Sequence, residues 1–181
     1  MGKITVAISG PPGSGTSTIA KELAKRLKLD YFSPGQIQKS YSKSSKESLA
    51  ALDVWQTKLG KSRAFHRDIL DKTQKELAKK GNIVICGKLS IKMLAGLADY
   101  KIWVYTPINI RAERVSERDK ITVGEAMNAL SERENIERKE WKRLYGFDYF
   151  DQKELADLAV DNSKTLEESV ERILKFIAGK S

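Results

Sequence analysis

The sequence predicts an α/β protein whose parallel sheet is covered on both faces. Three observations predict it. Short, uncharged, β-branched runs, Ile4 to Ile8 first among them, have the character of strands buried on both sides. Amphipathic helical stretches separate each run from the next, as the crossover connections of parallel strands require. Finally, a glycine-rich turn, Gly10-Pro11-Pro12-Gly13-Ser14-Gly15, stands between the first run and a helix opened by Thr16-Ser17-Thr18, with Ile19, Leu23 and Leu27 on one face of that helix.

The remaining elements follow in order. Tyr31-Phe32 begins a second short strand that stops at Ser33-Pro34-Gly35. A helical stretch from Lys46 to Gly60 carries Leu49, Leu52 and Trp55, and a longer helix from about Ser62 carries Phe65, Ile69, Thr73 and Leu77 to a stop at Gly81. These two helices make an arm between strands. Ile83 to Cys86 is the third strand; a short helix with Met93 and Leu94 precedes the fourth, Ile102 to Tyr105, which ends at Thr106-Pro107. Thr122-Val123-Gly124-Glu125 has the form of a capping box, so a long charged helix should run to about Tyr145 and end at Gly146. Leu158 to Val160 is the last strand. Thr165-Leu166-Glu167-Glu168, a second capping box, opens a helix lined by Val170, Ile173, Phe176 and Ile177.

The glycine-rich turn is the strongest functional signal. Gly10, Gly13 and Gly15 let the backbone turn sharply and aim successive N–H groups inward, where the positive end of the following helix adds to the attraction for phosphate. The P-loop pattern is G-x-x-x-x-G-K-[ST]; here Thr16 stands at the lysine position and Ser17 at the Mg²⁺-ligand position. Ligands of open parallel sheets bind at the carboxyl ends of strands. Gly13 to Ser17, Ser33 to Lys39, Gly87-Lys88, and Arg111, Arg114 and Arg118 all follow strands, so cations gather at one edge in a way that suits two phosphorylated molecules.

Composition sets outer limits. With 181 residues, 40% of them hydrophobic, one compact domain with its own core is expected. No apolar run approaches membrane-spanning length and no leader precedes the first strand, so a cytoplasmic protein with no membrane partner, a monomer, is expected. Cys86, the single cysteine, reads as a buried strand thiol. The net charge of +9 suits either nucleic acid or a site holding several phosphates. There is no RNA-recognition motif and no basic tail, which disfavours nucleic acid. His66, the only histidine, reads as a surface or packing residue and Trp103 as core, while Trp141, on the charged helix, reads as a packing residue with stacking on a base as the alternative. Glu134 and Arg138, at i and i+4, should pair on a solvated face.

Taken in order, these motifs resemble the archaeal type of cytidylate kinase, a nucleoside monophosphate kinase, along nearly the full length. GPPGSGTST is similar to the family's GPPGSGTTT, so threonine at the lysine position belongs to the family pattern. Ser33 to Lys39 resembles SAGEIFR, Asp71-Lys72-Thr73-Gln74 resembles Asp-Arg-Arg-Gln, and Ile83 to Leu89 resembles VVLEGRL. Thr106 to Val115 is similar to APLEVRAERI, and Glu140 to Asp148 to RYKEIYGID. The resemblance implies a three-layer α/β/α P-loop fold with a five-stranded parallel sheet, a helical arm for the monophosphate at about 35–80 and a helical lid at about 112–146.

It also implies transfer of the ATP γ-phosphate to CMP or dCMP with Mg²⁺. By the same resemblance, Gly10, Pro11, Pro12, Gly13, Ser14, Gly15, Thr16, Ser17 and Thr18 hold ATP, with Ser17 on the metal. Ser33, Gly35, Lys39, Asp71, Gly87 and Lys88 hold the acceptor, while Lys88, Arg114, Arg118, Arg133 and Arg138 act on the transferred group. The chain departs from the family where its arginines become Lys39, Lys88, Lys72 and Thr73. Lysine keeps the charge and gives up the bidentate grip, which leaves AMP, UMP or dephospho-coenzyme A open as acceptors. An ATPase accessory to RNA or ribosome assembly is the reading from another class.

Overall fold

A computed structural model describes residues 3–42, 44 and 47–179. Five parallel strands form one sheet in the order β2-β3-β1-β4-β5: β1 Thr5–Ser9, β2 Asp30–Phe32, β3 Ile83–Cys86, β4 Tyr100–Tyr105 and β5 Leu158–Asp161. The central strand β1 is buried throughout. It pairs Ile8 with Cys86 on one side and with Ile102 on the other, so the turns after β1 and β3 emerge side by side.

The P-loop helix α1 (Thr16–Leu27) and the last helix α8 (Leu166–Gly179) cover one face of the sheet. There Ile19, Leu23, Val170 and Ile173 pack on Val6, Ile8, Val104 and Val160. The other face carries Trp103, Ile85, Leu94, Trp141 and Tyr149. Both expected capping boxes are present: Thr122 and Glu125 exchange hydrogen bonds of 2.8 and 3.2 Å, and Thr165 and Glu168 of 3.1 and 3.2 Å.

The arm between β2 and β3 consists of α2 (Pro34–Lys39), α3 (Glu47–Gln56), a π-helical stretch Phe65–Asp71 and its continuation α4 (Lys72–Lys80). Lys46, where the arm's first helix was expected to begin, lies outside the described residues. The π turn corrects the expected stripe. Its wider spacing puts Phe65, His66, Leu70, Asp71, Gln74 and Ala78 inside and leaves Ile69 42% exposed, because the extra residue taken into an i→i−5 turn moves the inward face on by one position.

After β3 come α5 (Ser90–Met93), then α6 (Ile108–Asp119) and α7 (Val123–Tyr145), an antiparallel pair packed through Ala112, Val115, Ala126 and Leu130. A 3₁₀ helix, Tyr149–Leu155, leads into β5. Neither α6 as a separate helix nor the 3₁₀ segment was expected. Among the described residues no helix is long and apolar enough to cross a membrane.

Candidate active site

The loop after β1 is held from outside by its carbonyl groups. Lys88 Nζ donates to Gly10 O at 2.7 Å, Arg111 Nη1 to Pro12 O at 2.8 Å, and Ser14 Oγ to Pro11 O at 2.8 Å. Thr106 Oγ1 and Asn162 Nδ2 both donate to Ser14 O, at 3.2 and 2.9 Å. With these carbonyls engaged by the protein, the loop's N–H groups are left for a ligand. Helix α1 has no side-chain cap at its start, so its first-turn donors at Thr16, Ser17 and Thr18 are orphans within the helix, the setting that binds anions.

Two glycines are required by this geometry. Gly13 and Gly15 have φ of 76° and 86°, a region costly for residues with a Cβ. A Cβ on Gly15 would also stand 2.4 Å from Asn162 Nδ2. Asn162 is in turn fixed by Ser169, whose hydroxyl donates to its Oδ1 at 2.8 Å.

The cleft over this loop is lined by Gly10, Pro11, Pro12, Gly13, Thr16 and Ser17 from the loop, and by Ser33, Gly35 and Lys39 from β2–α2. Gly87 and Lys88 after β3 complete it, with Arg118 and Arg133 from α6 and α7. Residues expected on separate grounds at three strand ends and on the charged helices therefore meet around one space. Arg114, bonded to Lys164 O at 3.2 Å, stands with Arg118 at a neighbouring mouth lined by Gly13, Gly15, Thr16, Ser17 and Thr18. Ser14 is fully buried and supports the loop rather than lining the cleft.

Lys88 is the cation most closely tied to the loop. The 3₁₀ segment positions it: Gln152 Nε2 donates to Lys88 O at 2.7 Å, and the Tyr149 ring lies 5.8 Å from the ammonium. Burial pushes the Lys88 ammonium down to about 7, against the pull of the nearby Glu137 carboxylate in the opposite direction. Burial raises the Cys86 thiol, so Cys86, 4.0 Å from Ser17 Oγ, remains a thiol beneath the loop.

The structure does not bring Arg138 to the cleft. Arg133 and Glu137 face inward as an ion pair at 2.7 Å, and Arg138, one residue on, lies about 100° further around the helix. It is half exposed, pairs with Asp148, and lies over the Phe150 ring. The expected Glu134–Arg138 pair is likewise replaced. Glu134 binds the buried Arg111, tying α7 to α6 and, through Pro12, to the loop.

Asp71 lies in a smaller adjoining cavity with Gln74, Ser90, Trp141 and Tyr145. It accepts from Tyr145 Oη at 2.5 Å and from Gln74 Nε2 at 3.0 Å, and Ser90 Oγ donates to Gln74 Oε1 at 3.0 Å. Burial raises the Asp71 carboxyl, and the two hydrogen bonds oppose that rise.

Sequence reasoning passed over Gln38, Thr106, Glu137, Tyr149, Gln152 and Asn162. Thr106 and Asn162 each follow a strand at the carboxyl edge, and that position was a usable signal. Glu137 carried none, because its burial depends on how α7 lies across the loop.

A glycine-rich loop at the centre of a parallel sheet, facing Lys39 and Lys88 from neighbouring strand ends under a pair of helices, has the arrangement of a P-loop kinase fold. Solved structures agree. The chain superposes on shikimate kinase from Acinetobacter baumannii with a TM-score of 0.64 at 16% identity, covering 99% of this chain and 96% of that one. Shikimate kinase from Aquifex aeolicus gives 0.57 at 20%, covering 98% of each.

The chain belongs to the cytidylate kinase-like family, which it matches over residues 5–164. It is 38% identical to the cytidylate kinase of Pyrococcus horikoshii over 96% of this chain and 87% of that protein. With the cytidylate kinase of Staphylothermus marinus it shares 33% identity over 96% of both.

Proposed function

We propose that this protein transfers the γ-phosphate of ATP to CMP or dCMP. One observation carries the reading: in a member of this family, the phosphate loop, Lys39, Lys88, Arg118 and Arg133 all line one cleft. Phosphoryl transfer needs in-line placement and neutralisation of charge more than a general base. Gly13 to Thr18 would hold the donor phosphates through backbone N–H groups, with Arg114 and Arg118 at the donor-side mouth. Ser33, Gly35, Lys39 and Gly87 would hold the acceptor phosphate. Lys88 and Arg133 face the space between the two and would carry the charge of the transferred group.

The donor set fits Mg²⁺, which prefers nucleotide phosphates and water with few protein oxygens. Ser17 Oγ is such an oxygen, and among the described residues no group of three His, Cys, Asp or Glu side chains competes for the ion. When bound, the ion would neutralise charge on the donor phosphates.

The space over the loop amounts to ≈ 90 Å³, well below the roughly 300 Å³ of even a small ligand pocket. A Cβ on Gly13 would meet Leu130 at 3.2 Å and Val115 at 3.4 Å, so the helical pair closes over the loop. In this reading the pair at about 112–146 would swing away to admit nucleotide and return as a lid, which would exclude water during transfer. The test is ATP with each of CMP, dCMP, UMP and AMP, following ADP release and diphosphate formation together. Diphosphate from CMP or dCMP in step with ADP supports the proposal; ADP without any diphosphate overturns it in favour of an ATPase.

A further inference from the structure

The smaller cavity shares Gly35, Gln38, Gly87 and Lys88 with the phosphate cleft and runs away from the loop towards His66, Leu70 and Trp141. It offers a direction in which an acceptor whose phosphate lies at Lys39 and Lys88 can place its base. His66 is 1% exposed there. Its Nε2 lies 2.7 Å from the carbonyl oxygen of Gly60, and a carbonyl only accepts, so Nε2 carries the proton. Burial holds the ring neutral. Nδ1 is therefore a bare acceptor, and it is buried with no partner.

The ring cannot turn to find a partner. Trp55 stacks on it at 5.1 Å and Trp141 meets it edge-on at 4.8 Å. The two ring nitrogens point in widely different directions, so the Gly60 bond aims Nδ1 away from Gly60, which is not part of the cavity wall, whereas His66 is. A fixed, buried, unmet acceptor in a binding cavity selects for a ligand that brings an N–H. Gln38 Nε2, a buried donor also lacking a partner, lines the same cavity and suits a ring carbonyl.

We propose that His66 is a specificity-determining residue that reads the acceptor base, its Nδ1 accepting from the exocyclic amino group of cytosine. The inference rests on the kinase reading above. Cytosine and uracil have nearly one shape, and at this position they differ in sign: an amino group donates, whereas the uracil carbonyl would set lone pair against lone pair. From the sequence His66 reads as a surface or packing residue; its burial and stacking select packing, and the unmet Nδ1 extends that role.

Two variants separate reading the base from anchoring the fold. His66→Gln keeps a donor near the place of Nε2 and loses the acceptor at Nδ1; His66→Asn keeps an acceptor near Nδ1 and loses the bond to Gly60. The ratio of kcat/KM for CMP to that for UMP should fall about tenfold in His66→Gln and hold in His66→Asn, as expected for one hydrogen bond, with KM for ATP unchanged in both. The opposite pattern, or an unchanged ratio in both, overturns the inference.

A measurement on the unaltered protein covers the case of poorly folding variants. As the only histidine, His66 gives a single imidazole Nδ1 resonance in ¹⁵N NMR, which should move on addition of CMP and stay in place with UMP. Preference for CMP in turnover with an indifferent Nδ1 overturns the inference alone. Turnover of neither nucleotide overturns the kinase reading first.

Discussion

The Lys88 ammonium donates to the Gly10 carbonyl oxygen at 2.7 Å, so a cation from the turn after β3 is fixed on a loop whose own lysine position holds Thr16. The β1–β3 pairing makes this possible by bringing the two turns out side by side, with Gly87 N bonded to Ile8 O at 3.1 Å. A Cβ at Gly87 would meet Ser90 Oγ at 2.7 Å and Pro34 at 3.2 Å, so the turn is closed in on both sides and Lys88 has little choice of direction. The loop thus has a cation attached from a neighbouring strand where its sequence lacks one.

That attachment predicts proton uptake on nucleotide binding. Burial holds Lys88 down to about 7, so above pH 7 it is mostly neutral, and the negative charge of bound phosphates would restore its proton. Affinity for nucleotide should then fall as pH rises above 7, approaching about tenfold per pH unit if one full proton is coupled. Calorimetry in buffers of different ionisation enthalpy reads the uptake directly, and Lys88→Arg should abolish it. The sign for stability is opposite: the fold bears the cost of a charged buried Lys88 below pH 7 and is relieved of it between 7 and the ordinary lysine range.

The two arginines of α7 should separate in kinetics. Arg133 lines the cleft beside Glu137, and Arg138 is committed to Asp148. Arg133→Ala should lower kcat by roughly a hundredfold, the scale of one lost transition-state cation. Arg138→Ala and Thr16→Ala should each cost far less. Steady-state kinetics giving Arg138 the larger loss would place the transition-state charge on the other face of the helix.

What could be read in the chain beforehand follows from local chemistry. The five strands, both capping boxes and the phosphate loop each depend on a few consecutive residues, and the structure contains all of them. The Arg111–Glu134 pair and the inward turn of Glu137 depend on how two helices cross, which no local period records. The π turn at Phe65–Asp71 was hidden for a related reason. It adds a residue to one turn so that His66 and Asp71 both face the cavity, whereas a strict 3.6-residue period selects Ile69.

Arg111 should matter more for stability than for recognition. It is 6% exposed and binds both Pro12 O and the Glu134 carboxylate, joining the loop to α6 and α7. Arg111→Ala leaves Glu134 without its cation in a partly buried place, a change worth about 3 kcal/mol where the surviving charge is buried. Thermal unfolding should show a drop of several degrees. Glu134→Gln, which keeps a hydrogen-bond acceptor for Arg111, should show a smaller one. Equal losses would mean that the ion pair carries the whole effect and that the bond to Pro12 adds little.

The acceptor side offers the last test, at the position where lysine stands for the family's arginine. Lys39 ends α2 and lines the phosphate cleft with Ser33 and Gly35, offering a point charge where a guanidinium would offer a fork. Unlike Lys88, it is not seated on the Gly10 carbonyl, so a larger head group at position 39 need not displace the loop. Lys39→Arg should therefore lower KM for CMP about threefold to tenfold, the worth of one added charge-assisted hydrogen bond. KM for ATP should stay the same, because the donor phosphates are held by the separate N–H groups of Gly13 to Thr18. Lys88→Arg should not give this gain, since its bulk must fit between Gly10 and the Tyr149 ring. If Lys39→Arg instead raises KM for ATP, Lys39 belongs to the donor phosphates, and the acceptor phosphate must be sought nearer Arg133.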